Sequence, residues 1–341
     1  MTVSYRLVQW NRHKRVYDMV LLGAMVAYLA GFLVVTGLAV QPADPMVSLI
    51  RATGTLAIVM LHLILMVGPL SRFTTRLAPV LYNRRHAGVL LFFVALAHGA
   101  LVLFYYGSFG PIDPVRAVFG YGPGIPFEFY GFISLCGLFV MASTSHDFWL
   151  ANLGHRSWKA LHMLVYVAYG SVVLHVAAGA MQDQRDPAFA VLLVLGVVVL
   201  VSLHIAAGLK ERAKDRAGAS PEGGWIEAGA VDDLPMNRAR VVCVSGGERV
   251  ALVRHPGGVS AVSNVCAHQG GPLGEGEVVD GCLTCPWHGY QYEPETGQSP
   301  PPFEEKIPTY TVRIVKGRVQ VSAQPNEPGT PVSPATDGRT A

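Results

Sequence analysis

Charge is what this chain has least of. Only 14% of its residues are Asp, Glu, Lys or Arg, against 51% hydrophobic, and the mean hydropathy is +0.37. A water-soluble domain carries roughly 25% charged residues, so the deficit excludes a wholly soluble fold and places part of the chain in lipid. The net charge of +3 over 341 residues is too small to suggest a nucleic-acid partner. Cysteine is also scarce: Cys136, Cys243, Cys266, Cys282 and Cys285. Their uneven clustering is not that of a disulfide framework, which belongs to short secreted chains, and points to cofactor binding. The sequence also lacks the Gly-rich fingerprint with a trailing acidic residue that binds dinucleotides.

What it has instead is a series of apolar runs. Residues 18–40, 48–70, 87–106, 129–145, 160–181 and 188–209 each approach the ~20 residues a helix needs to cross ~30 Å of hydrocarbon. The first follows "NRHKR" as a signal peptide would, but its apolar run is too long for one, so it reads as a retained helix. Lys and Arg gather at 6–15, 72–85, 156–159 and 210–216, while the opposite loops show Arg116 and Arg185, with Arg51 at the mouth of the second run. Because basic loops stay inside, this predicts a multi-pass protein of a bacterial-type inner membrane with both termini cytoplasmic.

Beyond "KERAKDRAGASPEGG" the texture changes to short β-like runs ("RARVVCV", "RVALVRH", "VSAVSNV", "YTVRIV", "GRVQVSA") with Gly-bearing turns between them. The expected fold is multi-domain, an α-helical bundle of six transmembrane helices followed by a small all-β domain. Its divisions are a cytoplasmic segment 1–17, a membrane domain 18–209, a linker 210–224, the β domain 225–323 and a disordered tail 324–341.

Within the β domain, "NVCAHQGGPLGEGEVVDGCLTCPWHGYQY" spans Asn264 to Tyr292 and holds two pairs, Cys266 with His268 and Cys285 with His288. Two Cys and two His also make a zinc site. Three features favour a two-iron centre. Each Cys shares a loop with a His, both loops are rich in Gly and Pro, and the host is a β domain rather than a ββα finger.

The stretches "CAHQGGPL" and "CPWHGYQY", with the later "ETG" and "YTVRI", resemble a Rieske [2Fe–2S] domain, in which two thiolates hold one iron and two imidazoles the other. The resemblance implies Cys266, His268, Cys285 and His288 as ligands. Rieske proteins of quinol-oxidising complexes add a disulfide between the loops and a serine that hydrogen-bonds a sulfide. Gly271, Trp287 and Tyr290 stand in those places here, which implies the ferredoxin type and a potential toward the low end of the Rieske range. Cys243 and Cys282 match no ligand position and read as ordinary cysteines.

The apolar runs carry His62, His86, His98, His162, His175 and His204, and an intramembrane ionisable residue is a functional hypothesis. His86 and His98 are twelve residues apart and His162 and His175 thirteen, or ~18 and ~20 Å along a helix. Two helices each offering two imidazoles at matching depths suit a pair of stacked b-type haems. "NRRHAGVLLFFVALAH" and "LGHRSWKALHMLVYVAYGSVVLH" resemble the ferric-reductase-like transmembrane family, which includes the NADPH oxidases. They are most similar to the haem-binding membrane subunits of bacterial periplasmic methionine sulfoxide reductase systems. The resemblance implies His98, His162 and His175 as haem ligands. His86 rests on the depth argument alone, with His62 and His204 as competitors. Trp158 and the tyrosines near the run ends read as an interfacial belt.

The expectation is a transmembrane electron carrier. A cytoplasmic reductase feeds the [2Fe–2S] cluster, and two haems b pass electrons to an acceptor on the outer side, such as a soluble partner protein. Quinone-linked or reverse flow through the same cofactors is the alternative, and a non-catalytic redox sensor a further one. A Rieske oxygenase would need a mononuclear iron site, for which about a hundred residues of β domain leave no room.

Overall fold

The computed structural model describes residues 12–39, 44–109, 113–120, 124–145, 147–179, 187–216, 222–244, 249–268, 270–287 and 289–336. It divides into two compact units, Tyr5–Ile205 and, essentially, Ala206–Ala341.

The helical part contains α1 (Arg12–Ala39), α2 (Pro45–Ser71), α3 (Ala78–Phe109), α4 (Pro114–Phe119), α5 (Phe127–Ser143), α6 (Asp147–His162), α7 (Leu164–Ala178) and α8 (Pro187–Arg216). Helix starts are written locally. Asp44 caps α2, accepting from Met46 N at 2.8 Å and Val47 N at 3.2 Å, with Pro45 in the first turn. Asp113 and Pro114 repeat the device at α4. The interior is small and apolar: Leu56, Met60 and Leu61 of α2, Leu91 and Phe92 of α3, Leu138 and Met141 of α5, Ala168 and Tyr169 of α7. Small residues let α5 and α7 approach closely, and a Cβ on Gly137 would stand 3.3 Å from that of Ala168. The outward faces stay apolar, as at Val20, Leu38, Leu192 and Leu195. A bundle without a polar outer face is solvated by lipid rather than water.

Among the described residues, five helices have the length and composition to cross a membrane, namely Arg15–Leu38, Pro45–Ser71, Asn83–Gly107, Ser157–Ala178 and Phe189–Arg216. The expected run 129–145 appears as the 17-residue α5, at the short end of what spans a bilayer. Two expectations are corrected. The loop expected before the fifth run is the amphipathic helix α6, which runs into α7 through Met163, itself in helical φ/ψ, so that Ser157–Ala178 forms one 22-residue span carrying both His162 and His175. The expected linker begins as helix. α8 runs on to Arg216, because "KERAKDR" is made of good helix formers and Lys214 pairs with Glu211 one turn back at 3.1 Å.

The described residues of the β unit form ten strands: β1 (Trp225–Ala230), β2 (Ala239–Cys243), β3 (Arg249–His255), β4 (Gly258–Ser263), β5 (Glu277–Val279), β6 (Cys282–Thr284), β7 (Gln291–Tyr292), β8 (Thr309–Tyr310), β9 (Val312–Val315) and β10 (Arg318–Ser322). They form three antiparallel sheets, β1-β10-β9, β2-β3-β4-β8 and β5-β6-β7. Tight turns follow the sequence. Asp280-Gly281 and Lys316-Gly317 both carry positive φ at their two central residues, the requirement of a two-residue hairpin matched to strand twist.

The central strand β3 is buried on both faces. Val250 and Leu252 join Ile226, Val319 and Val321 in one core, while Ala251 and Val253 join Val262, Leu273, Leu283 and Tyr292 in the other. Successive residues of a strand point oppositely, so one strand stitches the two cores together. The tail expected to be disordered is instead ordered to residue 336. Val259 and Ala335 exchange backbone hydrogen bonds of 2.9 Å, Val332 N bonds to Glu295 O at 2.8 Å and Asn326 N to Thr309 O at 2.8 Å. The Pro-rich composition misled because a backbone paired to an existing sheet edge needs no apolar side chains of its own.

Candidate redox sites

The second core of the β unit carries the two cysteine loops. Cys266 is 1% exposed and Cys285 2%. The loops are built alike. Gly270 N bonds to Cys266 O at 2.7 Å and Cys266 N to Gly271 O at 2.9 Å; Gly289 N bonds to Cys285 O at 2.9 Å and Cys285 N to Tyr290 O at 2.8 Å. Each thiol thus sits at the mouth of a closed backbone turn. The loops also meet, since a Cβ on Gly271 would come within 2.6 Å of Cys285 Sγ and 3.2 Å of the Trp287 ring. Where a quinol-oxidising relative bridges its loops with a disulfide, this chain lays an indole over a glycine.

Tyr292, fully buried, places its Oη 3.5 Å from Cys266 Sγ and accepts from Ala267 N at 2.9 Å. Burial and the adjacent Cys266 sulfur push its phenol far above the usual range, which keeps the hydroxyl neutral and able to donate to a thiolate. His268 stacks on Tyr290 with centroids 5.0 Å apart and planes within 8°. His288 lies outside the described residues. Among the described residues no three His, Cys, Asp or Glu side chains converge on a single ion. Two buried thiols, an imidazole and a close glycine contact fit a thiolate- and imidazole-bound cluster. Burial pushes the Cys243 and Cys282 thiols up, away from the thiolate a ligand needs.

In the helical unit the histidines separate by what they touch. His98 of α3 and His175 of α7 face each other with centroids 6.2 Å apart and planes at 80°. His98 Nδ1 lies 3.0 Å from Ile50 O, and His175 Nδ1 2.9 Å from Phe127 O. A backbone carbonyl at Nδ1 fixes the tautomer and leaves Nε2 as the metal-binding nitrogen. Two metal–nitrogen bonds of about 2 Å, with half an imidazole at each end, span about 6 Å, which is the observed separation. Each ring is seated on a glycine. A Cβ on Gly54 would stand 2.9 Å from His98 Cε1, and one on Gly131 2.9 Å from His175 Nδ1.

The other pair is not brought together as rings. His86 Nδ1 lies 3.0 Å from both oxygens of the buried Asp18 carboxylate. His162 Nδ1 lies 3.1 Å from Trp158 O, and its Nε2 is buried without a hydrogen-bond partner. Trp158 stacks on His162 at 3.8 Å and donates Nε1–H to Thr144 O at 2.9 Å, with Arg85 5.6 Å over its ring. It does more than an interfacial belt requires. The competitor His62 is satisfied at both nitrogens, by Ile58 O at 2.8 Å and Tyr169 Oη at 3.1 Å, as a packed core histidine is. His204 Nδ1 lies 3.0 Å from Leu200 O.

A β domain with two buried thiols and an apolar-faced helical bundle with a histidine pair in its interior are together the features of a membrane redox protein. Comparison with known proteins agrees for both parts. Residues 224–311 match the Rieske [2Fe–2S] domain, and residues 53–173 the ferric reductase like transmembrane component. Over 99 residues the chain is 32% identical to the anthranilate 1,2-dioxygenase ferredoxin subunit of Burkholderia cepacia, covering 29% of this chain and 91% of that protein. Over 149 residues it is 36% identical to the protein-methionine-sulfoxide reductase heme-binding subunit MsrQ of Brucella anthropi, covering 42% of this chain and 63% of that protein. The corresponding subunit of Ralstonia nicotianae is 32% identical over 133 residues, 39% of this chain and 59% of that protein. The chain thus spans about three fifths of the heme-binding subunits it matches. It belongs to the Rieske [2Fe–2S] family through its C-terminal domain and carries a ferric-reductase-like transmembrane component before it.

Proposed function

We propose that this chain carries electrons across a bacterial inner membrane, from a cytoplasmic donor to an acceptor on the outer side. Cys266, His268, Cys285 and His288 would hold a [2Fe–2S] cluster, His98 and His175 an outer haem b, and His162, with His86, an inner one. Bound there, these groups supply one-electron chemistry at separate depths, and the protein supplies ligands, spacing and a dry path. The observation that carries the reading is the His98–His175 pair. Two imidazoles are held at the span of one metal, each with Nδ1 on a carbonyl and each seated on a glycine.

Asp18 gives His86 the carboxylate partner typical of metal-bound imidazole, and His162 Nε2 is buried without a hydrogen-bond partner. Clustering of basic loops supports a cytoplasmic position for the termini and the β domain. Reduced-minus-oxidised spectra with low-temperature EPR test the whole. Wild type gives b-type α bands beside a two-His Rieske signal, His98→Ala and His175→Ala each lose the same haem, and His162→Ala loses the other. One haem per chain removes His86 as a ligand, and a Rieske signal without haem bands refutes the membrane half of the reading.

One observation favours quinone-linked flow as a second reading. An apolar cavity of about 270 Å³ between α1, α2 and α3 is lined by Tyr17 and Arg84 among mostly aliphatic side chains; Tyr17 adjoins Asp18 in sequence, and Arg84 stands two residues before His86. Haem reduction by a quinol in membranes lacking a soluble reductant separates the two.

A further inference from the structure

We propose that Tyr290 and Glu305 form a carboxylate-anchored brace on His268 that fixes the plane of this imidazole and lowers the reduction potential of the centre it serves. The proposal rests on the reading that His268 is a cluster ligand.

Tyr290 touches both ligand loops at once. Its carbonyl accepts from Cys285 N at 2.8 Å, and its ring lies parallel to His268, 8° between planes and 5.0 Å between centroids. Parallel offset stacking is a preferred aromatic geometry, and it holds the imidazole against rotation about its own bond. The far end of the phenol is pinned as well. Tyr290 Oη donates to Glu305 Oε2. Phe303 leans on the ring at 5.0 Å and 58°. Glu305 is itself held, its Oε2 accepting from Glu304 N at 3.2 Å and its carbonyl from Ser299 N at 2.9 Å. The hydroxyl is therefore spent on a carboxylate and is not offered to a sulfide.

Glu305 thus adds a negative charge at the end of a ring stacked on the ligand. One-electron reduction makes the centre more negative, so a nearby carboxylate favours the oxidised state. A unit charge about 10 Å away, screened by an effective dielectric of about 20, alters such an equilibrium by roughly tenfold, or 59 mV for one electron. A mere packing tyrosine predicts no such dependence.

The test is EPR-monitored potentiometric titration of the purified full-length protein, with iron and sulfide measured in each variant. E305Q keeps an acceptor and removes the charge; it raises the midpoint by about tenfold in equilibrium, with unchanged g-values. Y290F keeps the stack and breaks the link, giving a smaller rise. Y290L removes the stack and shifts the g-values, because the plane of His268 is no longer fixed. Fully loaded E305Q that titrates with the wild-type midpoint overturns the brace even if Y290L fails to fold. Absence of a two-His signal in wild type instead overturns the cluster assignment beneath it.

Discussion

Substituting Gly131 by Ala adds one methyl group to α5, and the structure says where it lands: 2.9 Å from His175 Nδ1, 3.0 Å from Cε1 and 3.4 Å from Cγ. Ordinary contact is about 3.5–4 Å, so the ring must retreat by about half an ångström. It cannot retreat freely, because Nδ1 is bonded to Phe127 O at 2.9 Å and Phe127 packs on the ring at 5.3 Å. As a helix residue Ala gains about 1 kcal/mol over Gly, whereas overpacking costs about 1–3 kcal/mol. The fold therefore survives with little net change. The ligand position does not, and misplaced partners of a metal-bound histidine cost about 10–100-fold in affinity. The assay is haem per chain by pyridine haemochrome after size exclusion, with Gly170→Ala as control, since a Cβ there meets nothing within 4 Å. G131A should lose the haem that His98→Ala also loses and keep the other. A G131A protein with full haem and an unshifted α band would refute the geometric argument for the His98–His175 pair.

Trp158→Leu, which removes the 3.8 Å stack on His162, should weaken retention of the second haem about tenfold, with Trp158→Phe intermediate, read by the same stoichiometry. Tyr292→Phe removes the hydroxyl beside Cys266 and leaves Ala267 N–H without its acceptor. The cluster midpoint should fall, and the β domain should lose about 1–3 kcal/mol in denaturant titrations followed by cluster absorbance. His255 is buried, its Nε2 2.9 Å from Ser260 Oγ, and burial lowers its pKa. The folded state thus prefers the neutral ring, while the unfolded chain binds a proton near ~6.5. Stability conferred above that value is lost as pH falls from it toward the folded pKa, and His255→Gln should flatten this dependence in chemical denaturation at pH 7.5 and 5.5.

Much of this was legible because it is written in spacing. The two Cys–His pairs, the apolar runs and the Asp280-Gly281 hairpin follow from local pattern. The partners of those residues were not legible. Asp18 is the one acidic residue of its apolar run, a signal available under the rule for intramembrane charge, yet its link to His86 crosses 68 residues. Tyr292, Glu305, Gly54 and Gly131 act through close approach of segments distant in sequence, which no periodicity encodes. Pattern also failed where one texture has two readings. The amphipathic stretch before His162 looks like a loop until it is folded as α6, and the Pro-rich tail looks unstructured until the edge of β4 is there to receive it.

The two histidine columns are mounted alike. His86 and His98 ride one unbroken rod, α3, and His162 and His175 ride another, the span Ser157–Ala178, which keeps helical φ/ψ through Met163. In each, separation is set by helical rise and behaves as a ruler. One residue inserted between His86 and His98 would swing His98 by about 100° around the axis, out of register with His175, and an insertion between His162 and His175 would do the same from the other side. The two rods therefore gauge each other, and a length change in one is tolerated only when the other matches it.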